Sequence, residues 1–201
     1  DNRERVVLAA HSNSPPGSVR LPWVGSVDPP DGLSGLAARV RRPPGAPEMS
    51  FADDQLRMMR AARFVSHLGF EALPEVVAAM TEMAPSLKIV SAERIRDEFV
   101  KLIMGPSPRQ GLALFVDTGL AAQVLPELPA LKLEVDEHHR HKDVYEHSLT
   151  VLEQAIAMEG PAGAPASLVP GPDLVLRLAA LLHDIGKPAT RRFDDDGGVS
   201  F

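Results

Sequence analysis

The sequence lacks cysteine altogether, has one tryptophan and one tyrosine among its 201 residues, and is only 4% aromatic. Without cysteine it can form no disulfide, thiol nucleophile or cysteine-bound zinc, so any metal site must use histidine and carboxylate ligands. Long hydrophobic runs are also missing, because runs such as Leu178–Leu182 are far shorter than the roughly 20 residues that span a bilayer. We therefore expect a cytoplasmic protein with no membrane anchor.

An excess of positive charge is absent as well. The chain has 21 Lys and Arg residues against 27 Asp and Glu residues, a net charge of −6. This excludes a protein that is basic over its whole surface, although a local basic face for nucleic acid stays possible. With 44% apolar residues the chain can bury a core. Because it starts at Asp1 and stops at Phe201, we interpret it as a piece of a longer protein.

Helical patterning dominates the chain after residue 49. Residues 1–49 are rich in proline and are predicted to be irregular. From Ser50, interpreted as a helix N-cap, apolar residues recur at helical spacing as far as Leu68, which predicts one continuous helix closed by Gly69. No later segment up to residue 185 shows the period of two that is typical of strands, so the fold is predicted to be all-α. Further helices are predicted at 74–83, 92–104, 109–118, 120–125, 144–158 and 173–185.

The first cluster with chemical potential lies near the start of the first predicted helix. Asp54 and Arg57 are three residues apart, so on a helix their side chains would be neighbours. A carboxylate acceptor beside a planar guanidinium donor can hydrogen-bond the edge of a nucleobase. The same spacing also fits an ordinary salt bridge on a solvated helix, and spacing alone favours that alternative.

The second cluster is a set of histidines followed by a His-Asp pair. His183 and Asp184 end an apolar helix, where both side chains can ligate one divalent cation, and His147 on the preceding long helix could be a third ligand. Lys187 adds a cation suited to a phosphate. The alternatives are a histidine favoured by the helix dipole and a His-rich surface without metal. The apolar helix and the following Ile-Gly-Lys favour a metal site. The remaining histidines of the set are His138, His139 and His141.

Three segments together resemble a known family. Residues 50–70, the segment Ser91-Ala92-Glu93-Arg94-Ile95-Arg96-Asp97-Glu98 and residues 136–198 resemble bacterial class II tRNA nucleotidyltransferases and poly(A) polymerases, whose best-known members add CCA to tRNA 3′ ends. The resemblance implies a helical neck and RNA-binding region with the base-reading motif at 50–135 and the truncated first part of an HD domain at 136–201. The irregular segment 1–49 would be a remnant or a sequence from outside the family.

The resemblance also implies roles for residues. Asp54 and Arg57 match the acidic-Asp-x-x-Arg motif that hydrogen-bonds the base of CTP or ATP, with Asp53 where the family commonly has Glu. Arg60, and with it Arg63, could contact phosphate or RNA backbone, although Arg63 could equally be a helix-packing residue. In the HD domain, His147, His183 and Asp184 would hold a divalent metal of unknown identity, with Lys187 binding phosphate.

The family's catalytic head is missing from the sequence. Neither its Gly-rich triphosphate loop nor its Mg²⁺-binding Asp-x-Asp pair occurs before residue 50. We expect these residues alone to transfer no nucleotide, because that chemistry needs the Mg²⁺ carboxylates. The HD fold also takes a later Asp ligand, which would lie beyond Phe201.

The sequence therefore predicts part of an RNA 3′-end nucleotidyltransferase, with tRNA or another RNA 3′ end, CTP and ATP as partners, no membrane partner and no inferable protein partner. It leaves CCA addition and poly(A) addition both open. Two alternatives are a metal-dependent HD phosphohydrolase as the main activity, and an inactive helical RNA-binding fragment.

Overall fold

A computed structural model describes residues 19–21, 25–27, 40–41, 46–69, 71–132, 144–160, 168–190, 192–193 and 199–200. In these residues the fold is all-α, as predicted. The helices are α1 Pro47–Asp53, α2 Leu56–Leu68, α3 Pro74–Met83, a 3₁₀ helix Ala84–Ile89, α4 Ala92–Ile103, α5 Pro108–Asp117, α6 Leu120–Val124, α7 Glu127–Ala130, α8 Val144–Met158, α9 Leu174–Leu182 and α10 Lys187–Thr190.

Within the residues that the structure describes, the strands form only short pairs of two or three residues each. Two pairs are antiparallel, β1 Val19–Leu21 with β2 Gly25–Val27 and β7 Arg192–Phe193 with β8 Val199–Ser200. Two are parallel, β3 Val40–Arg41 with β4 Glu71–Ala72 and β5 Glu159–Gly160 with β6 Val169–Pro170. None of the described helices is long and apolar enough to cross a membrane.

The predicted continuous helix from residue 50 to 68 is wrong, because the chain forms two helices there. The first begins at Pro47, and the chain leaves it at Asp54, whose φ of −154° and ψ of 103° are extended. Asp54 Oδ1 accepts a hydrogen bond from the Leu56 backbone N–H at 3.3 Å. A side chain that takes a nearby amide in this way competes with the helical hydrogen bond. Ser50 is therefore inside α1 and is not an N-cap.

The last long predicted helix also ends early. Helix α9 covers Leu174–Leu182, and Asp173 caps its start by accepting from the Leu176 backbone N–H at 2.7 Å. Residues 183–186 form a turn before α10. The predicted helix at 144–158 has the observed bounds of α8. The short helix α7 was not predicted.

The neck helix α2 packs between α4 and α5 at very short range. A Cβ atom on Gly111 of α5 would lie 2.7 Å from the Ala62 carbonyl oxygen, so only glycine permits this approach. The end of α2 is fixed to the end of α4, because Ser66 Oγ donates to the Leu102 carbonyl at 2.7 Å. At the other end of α2, Arg57 contacts Ser50 of α1 and Arg60 faces Glu98 of α4.

Helices α8 and α9 share one hydrophobic core with the neck helices, since Leu149 and Leu181 belong to the same buried cluster as Met58 and Phe115. A buried arginine strengthens this connection. Arg177 of α9 donates from Nη1 to the carbonyl oxygens of Ile103 at 2.8 Å and Gly105 at 2.7 Å, at the end of α4. Its other nitrogens bind the Glu159 carboxylate. Helix α9, which His183 follows, is thereby anchored to the end of α4. The same end of α4 accepts the hydrogen bond from Ser66 of α2.

Candidate functional site

The proposed nucleotide-reading residues lie where α1 ends and α2 begins. Asp54 is the extended residue between the helices, and Arg57 is in the first turn of α2. Asp54 Oδ1 lies 3.5 Å from Arg94 Nη2 on α4, besides accepting from Leu56. The break in the helix therefore places the Asp54 carboxylate between the start of α2 and the N-terminal part of α4.

Arg57 is held by the preceding helix. Its Nη1 donates to the Ser50 carbonyl oxygen at 3.1 Å and to the Ser50 hydroxyl at 2.9 Å. The nearest carboxylate, Asp53 Oδ2, is 3.9 Å from Nη1. The i,i+3 salt bridge between Asp54 and Arg57 does not form, because Asp54 lies outside the helix. Both side chains keep solvent access, with exposed fractions of 27% for Asp54 and 43% for Arg57.

Arg60 and Arg63 face a buried carboxylate on α4. Glu98 has only 4% of its side chain exposed and lies 3.3 Å from Arg63 Nη1, 3.3 Å from Lys101 Nζ and 3.9 Å from Arg60 Nε. Arg63 is itself buried and its guanidinium lies 4.6 Å from the centre of the Phe64 ring, which agrees with the helix-packing interpretation. Arg60 is 35% exposed, so part of it can reach a solvent-borne phosphate.

Ser50, Arg94 and Glu98 were not singled out by the sequence analysis as site residues. Arg94 and Glu98 are four residues apart on α4 and share one face, with Arg94 nearest Asp54 and Glu98 nearest the arginines of α2. Arg94 is opposite in charge to Asp54, and Glu98 is opposite in charge to Arg60 and Arg63. The sequence therefore contained a signal that could have identified both residues. Ser50 gave no such signal, because its contact depends on the break at Asp54.

The predicted metal ligands converge. One ligand atom each from His147, His183 and Asp184 lies within 4.8 Å of the others, which is the one such group of three found in the described part of the chain. The His147 and His183 rings are 5.3 Å apart and nearly perpendicular. His147 lies on α8, whereas the other two residues follow α9. Packing of α8 on α9 therefore brings the three donors together, as predicted from the sequence.

Hydrogen bonds orient the donor atoms of this cluster. His183 Nδ1 lies 2.9 Å from the Ala180 carbonyl oxygen, which can only accept, so Nδ1 carries a proton and Nε2 is the nitrogen whose lone pair can ligate a metal in the neutral ring. Asp184 Oδ2 lies 3.2 Å from His183 Nε2 and 2.8 Å from Lys187 Nζ. Two imidazoles and a carboxylate are a donor set that divalent transition metals accept, so these residues fit a metal ion. His138, His139 and His141 lie outside the described residues.

Two family descriptions match successive parts of the chain. Residues 69–131 match "Probable RNA and SrmB- binding site of polymerase A". Residues 144–199 match "HD domain". The first segment covers α3 to α7 and the second begins with α8, so the metal-ligand cluster belongs to the HD segment.

Several proteins of known name are similar over most of the chain. The A-adding tRNA nucleotidyltransferase of Deinococcus radiodurans is 36% identical over 177 residues, which are 86% of this chain and 38% of that protein. The Multifunctional CCA protein of Pseudomonas paraeruginosa is 34% identical over 175 residues, 84% of this chain and 39% of that protein. The chain thus spans less than half the length of these relatives.

A solved structure has a related fold. The crystal structure of the Bacillus stearothermophilus CCA-adding enzyme in complex with CTP superposes with a TM-score of 0.52 at 28% identity, covering 90% of this chain and 47% of that one. Sequence and fold comparisons therefore agree over nearly all of the chain.

Proposed function

This chain belongs to the family of bacterial CCA-adding tRNA nucleotidyltransferases and poly(A) polymerases that carry an HD domain, and we propose that it selects the base of an incoming CTP or ATP. In this proposal residues 50–135 are the neck and RNA-binding region and residues 136–201 are the start of the HD domain. We propose that the RNA partner is the 3′ end of tRNA or a related RNA and that the protein acts in the cytoplasm; the tRNA assignment is supported by a relative that is named a tRNA nucleotidyltransferase.

The observation that carries the proposal is the break at Asp54. It leaves a carboxylate and the Arg57 guanidinium in adjacent, partly exposed positions, and each is held by a different partner instead of pairing with the other. Cytosine and adenine both present an exocyclic amino donor beside a ring-nitrogen acceptor, whereas uracil and guanine present the reverse. A carboxylate can accept from that amino group while a guanidinium donates to the ring nitrogen, so this pair suits C and A.

We predict that Arg57→Ala in the full-length protein weakens the preference for CTP and ATP over UTP and GTP. A loss of about 1–3 kcal/mol of discrimination is expected, because one charged hydrogen bond is lost and its base partner stays unpaired. The measurement is kcat/KM for each nucleotide. Arg96→Ala is the matched control, since Arg96 is exposed on α4 and pairs with Asp97. Unchanged nucleotide preference in the Arg57 variant would contradict the proposal.

Nucleotidyl transfer itself is proposed to require a catalytic head with Mg²⁺. We therefore still predict that residues 1–201 alone transfer no CMP or AMP to RNA.

Arg60 is proposed to assist base selection by contacting a phosphate or the RNA backbone. Its partial exposure supports this role, because Arg60 Nε lies 3.9 Å from the buried Glu98 carboxylate while 35% of the side chain stays open to solvent.

A second function is proposed for the HD cluster, on the observation that its three donors converge. His147, His183 and Asp184 would hold a divalent metal, and Lys187 would bind a phosphate of the substrate. A bound ion would supply a water of lowered pKa for hydrolysis of a phosphate ester. The chain's own contribution is orientation, because the Ala180 carbonyl fixes the His183 tautomer and Asp184 holds the Lys187 ammonium at 2.8 Å.

We predict that Mn²⁺ titration broadens the imidazole NMR signals of His147 and His183 much more than those of His67, because His67 is on α2 and binds the Lys101 carbonyl instead of facing the cluster. Asp184→Asn is expected to weaken the binding at least tenfold, since it removes the one charged ligand. Equal broadening of all three histidines, or an unchanged affinity of the Asn variant, would show that these histidines are structural.

A further inference from the structure

We infer that Ser50 is a positioning residue for base selection, because it fixes the guanidinium of Arg57. This inference rests on the proposed function of Asp54 and Arg57. Ser50 lies inside α1, with 8% of its surface exposed. It offers two acceptors to a single nitrogen, its carbonyl oxygen at 3.1 Å and its hydroxyl oxygen at 2.9 Å from Arg57 Nη1.

The Ser50 carbonyl is accessible because it lies near the C-terminal end of α1, which ends at Asp53. Carbonyl oxygens in the last turn of a helix point past its end, and each has two lone pairs, so they can accept from donors outside the helix. Arg57, in the first turn of the next helix, supplies such a donor. The break at Asp54 therefore brings the Arg57 guanidinium beside this acceptor.

The contact leaves a defined part of the guanidinium free. Nη1 carries two hydrogens, and Ser50 offers an acceptor for each. The contact to Asp53, at 3.9 Å, is too long for a hydrogen bond and also involves Nη1. Every contact of Arg57 in the described residues thus uses Nη1, so the Nε and Nη2 hydrogens remain for a ligand. Since a guanidinium is planar, fixing one nitrogen by two bonds fixes the plane in which the remaining donors point.

The consequence concerns specificity more than affinity. A freely turning arginine can donate to the ring nitrogen of C or A, but it can also turn to the carbonyl oxygens of U or G. An arginine held by Ser50 presents its donors at one angle relative to Asp54, which only bases with an adjacent amino donor and ring acceptor can satisfy together with the carboxylate. Ser50 would act through Arg57 and not touch the nucleotide itself.

The first test observes Arg57 directly in this chain. In ¹⁵N-arginine NMR spectra, hydrogen bonds from Nη1 slow rotation about the Cζ–Nη1 bond and protect its hydrogens from exchange. Ser50→Ala removes the hydroxyl and suits a helix interior, so we expect the chain to fold and Arg57 Nη1 to exchange several-fold faster. Thr81→Ala is the control, because it removes an exposed hydroxyl that bonds only the Val77 carbonyl on α3. Equal exchange in both variants would overturn the inference.

The second test measures selection in the full-length protein. Ser50→Ala is expected to lower the preference for CTP and ATP over UTP and GTP about five- to tenfold, mostly by improving kcat/KM for the wrong nucleotides, whereas Ser50→Thr, which keeps the hydroxyl, should restore much of the preference. If Arg57→Ala relaxes selection and Ser50→Ala does not, the role of Ser50 is refuted while base reading stands. If neither variant relaxes selection, the proposed function itself fails.

Discussion

Replacing Arg177 with methionine is expected to lower the free energy of unfolding by about 3–5 kcal/mol, because it leaves the buried Glu159 carboxylate without its cation. Both side chains are nearly inaccessible, with exposed fractions of 5% and 6%. The change also removes the donors to the Ile103 and Gly105 carbonyls at the end of α4. Chemical denaturation measured by circular dichroism would give the free energies.

The controls for this prediction use both partners. Arg96→Met, at an exposed arginine of α4, should change stability by less than about 1 kcal/mol. Arg177→Met combined with Glu159→Leu should cost less than Arg177→Met alone, since no charge is then left buried. A small loss in the Arg177 variant, or strict additivity in the double variant, would show that Arg177 and Glu159 do not stabilise each other in the folded protein.

The same pair sets an acid dependence with a definite sign. The hydrogen bonds from Arg177 hold the pKa of Glu159 below its ordinary value of 4.5, against the opposing effect of burial. Because the folded pKa is the lower one, the stabilisation is fully present above pH 4.5 and is lost as the pH falls through the lowered pKa. The stability difference between the wild type and Glu159→Gln should therefore shrink below that pH.

The sequence predicted the helical fold well wherever the pattern was local. Helix α8 has its predicted bounds. The His147, His183 and Asp184 donors meet because α8 and α9 are both apolar and pack against each other. The break at Asp54 was not predictable in this way. An apolar stripe continues through it at helical spacing, while the break depends on a carboxylate that takes the Leu56 amide and on Arg94, which lies 40 residues further along the chain.

Buried charge is the other feature that periodicity did not reveal. A helical pattern alone predicts that charged side chains face the solvent and that buried positions are apolar. Three charged residues are buried all the same: Arg63, Glu98 and Arg177. They are buried because each finds an opposite charge or a carbonyl on another helix. Such a pairing depends on which helices become neighbours, so it requires the tertiary structure.

Glu98→Gln is expected to lower the free energy of unfolding by about 3 kcal/mol, at the lower end of the cost of breaking a buried ion pair. The carboxylate is 4% exposed and lies between Arg60 and Arg63 of α2 and Lys101 of its own helix. Glutamine keeps the shape but removes the charge, so Arg63 loses its ion pair while it keeps its contact with the Phe64 ring. Thermal and denaturant unfolding would measure the loss.

The matched control for Glu98 is Glu93→Gln, an identical change at an exposed residue in the first turn of the same helix. It should cost less than about 1 kcal/mol, because it removes a favourable interaction with the helix dipole and a solvent-exposed attraction to Arg96. Salt gives an independent check: high ionic strength should weaken the effect of the Glu93 change and leave that of the Glu98 change nearly intact, since buried pairs are little screened. Equal losses at the two positions would mean that the Glu98 carboxylate does not hold α2 against α4, and the arginines beside the nucleotide-reading pair would then owe their positions to apolar packing alone.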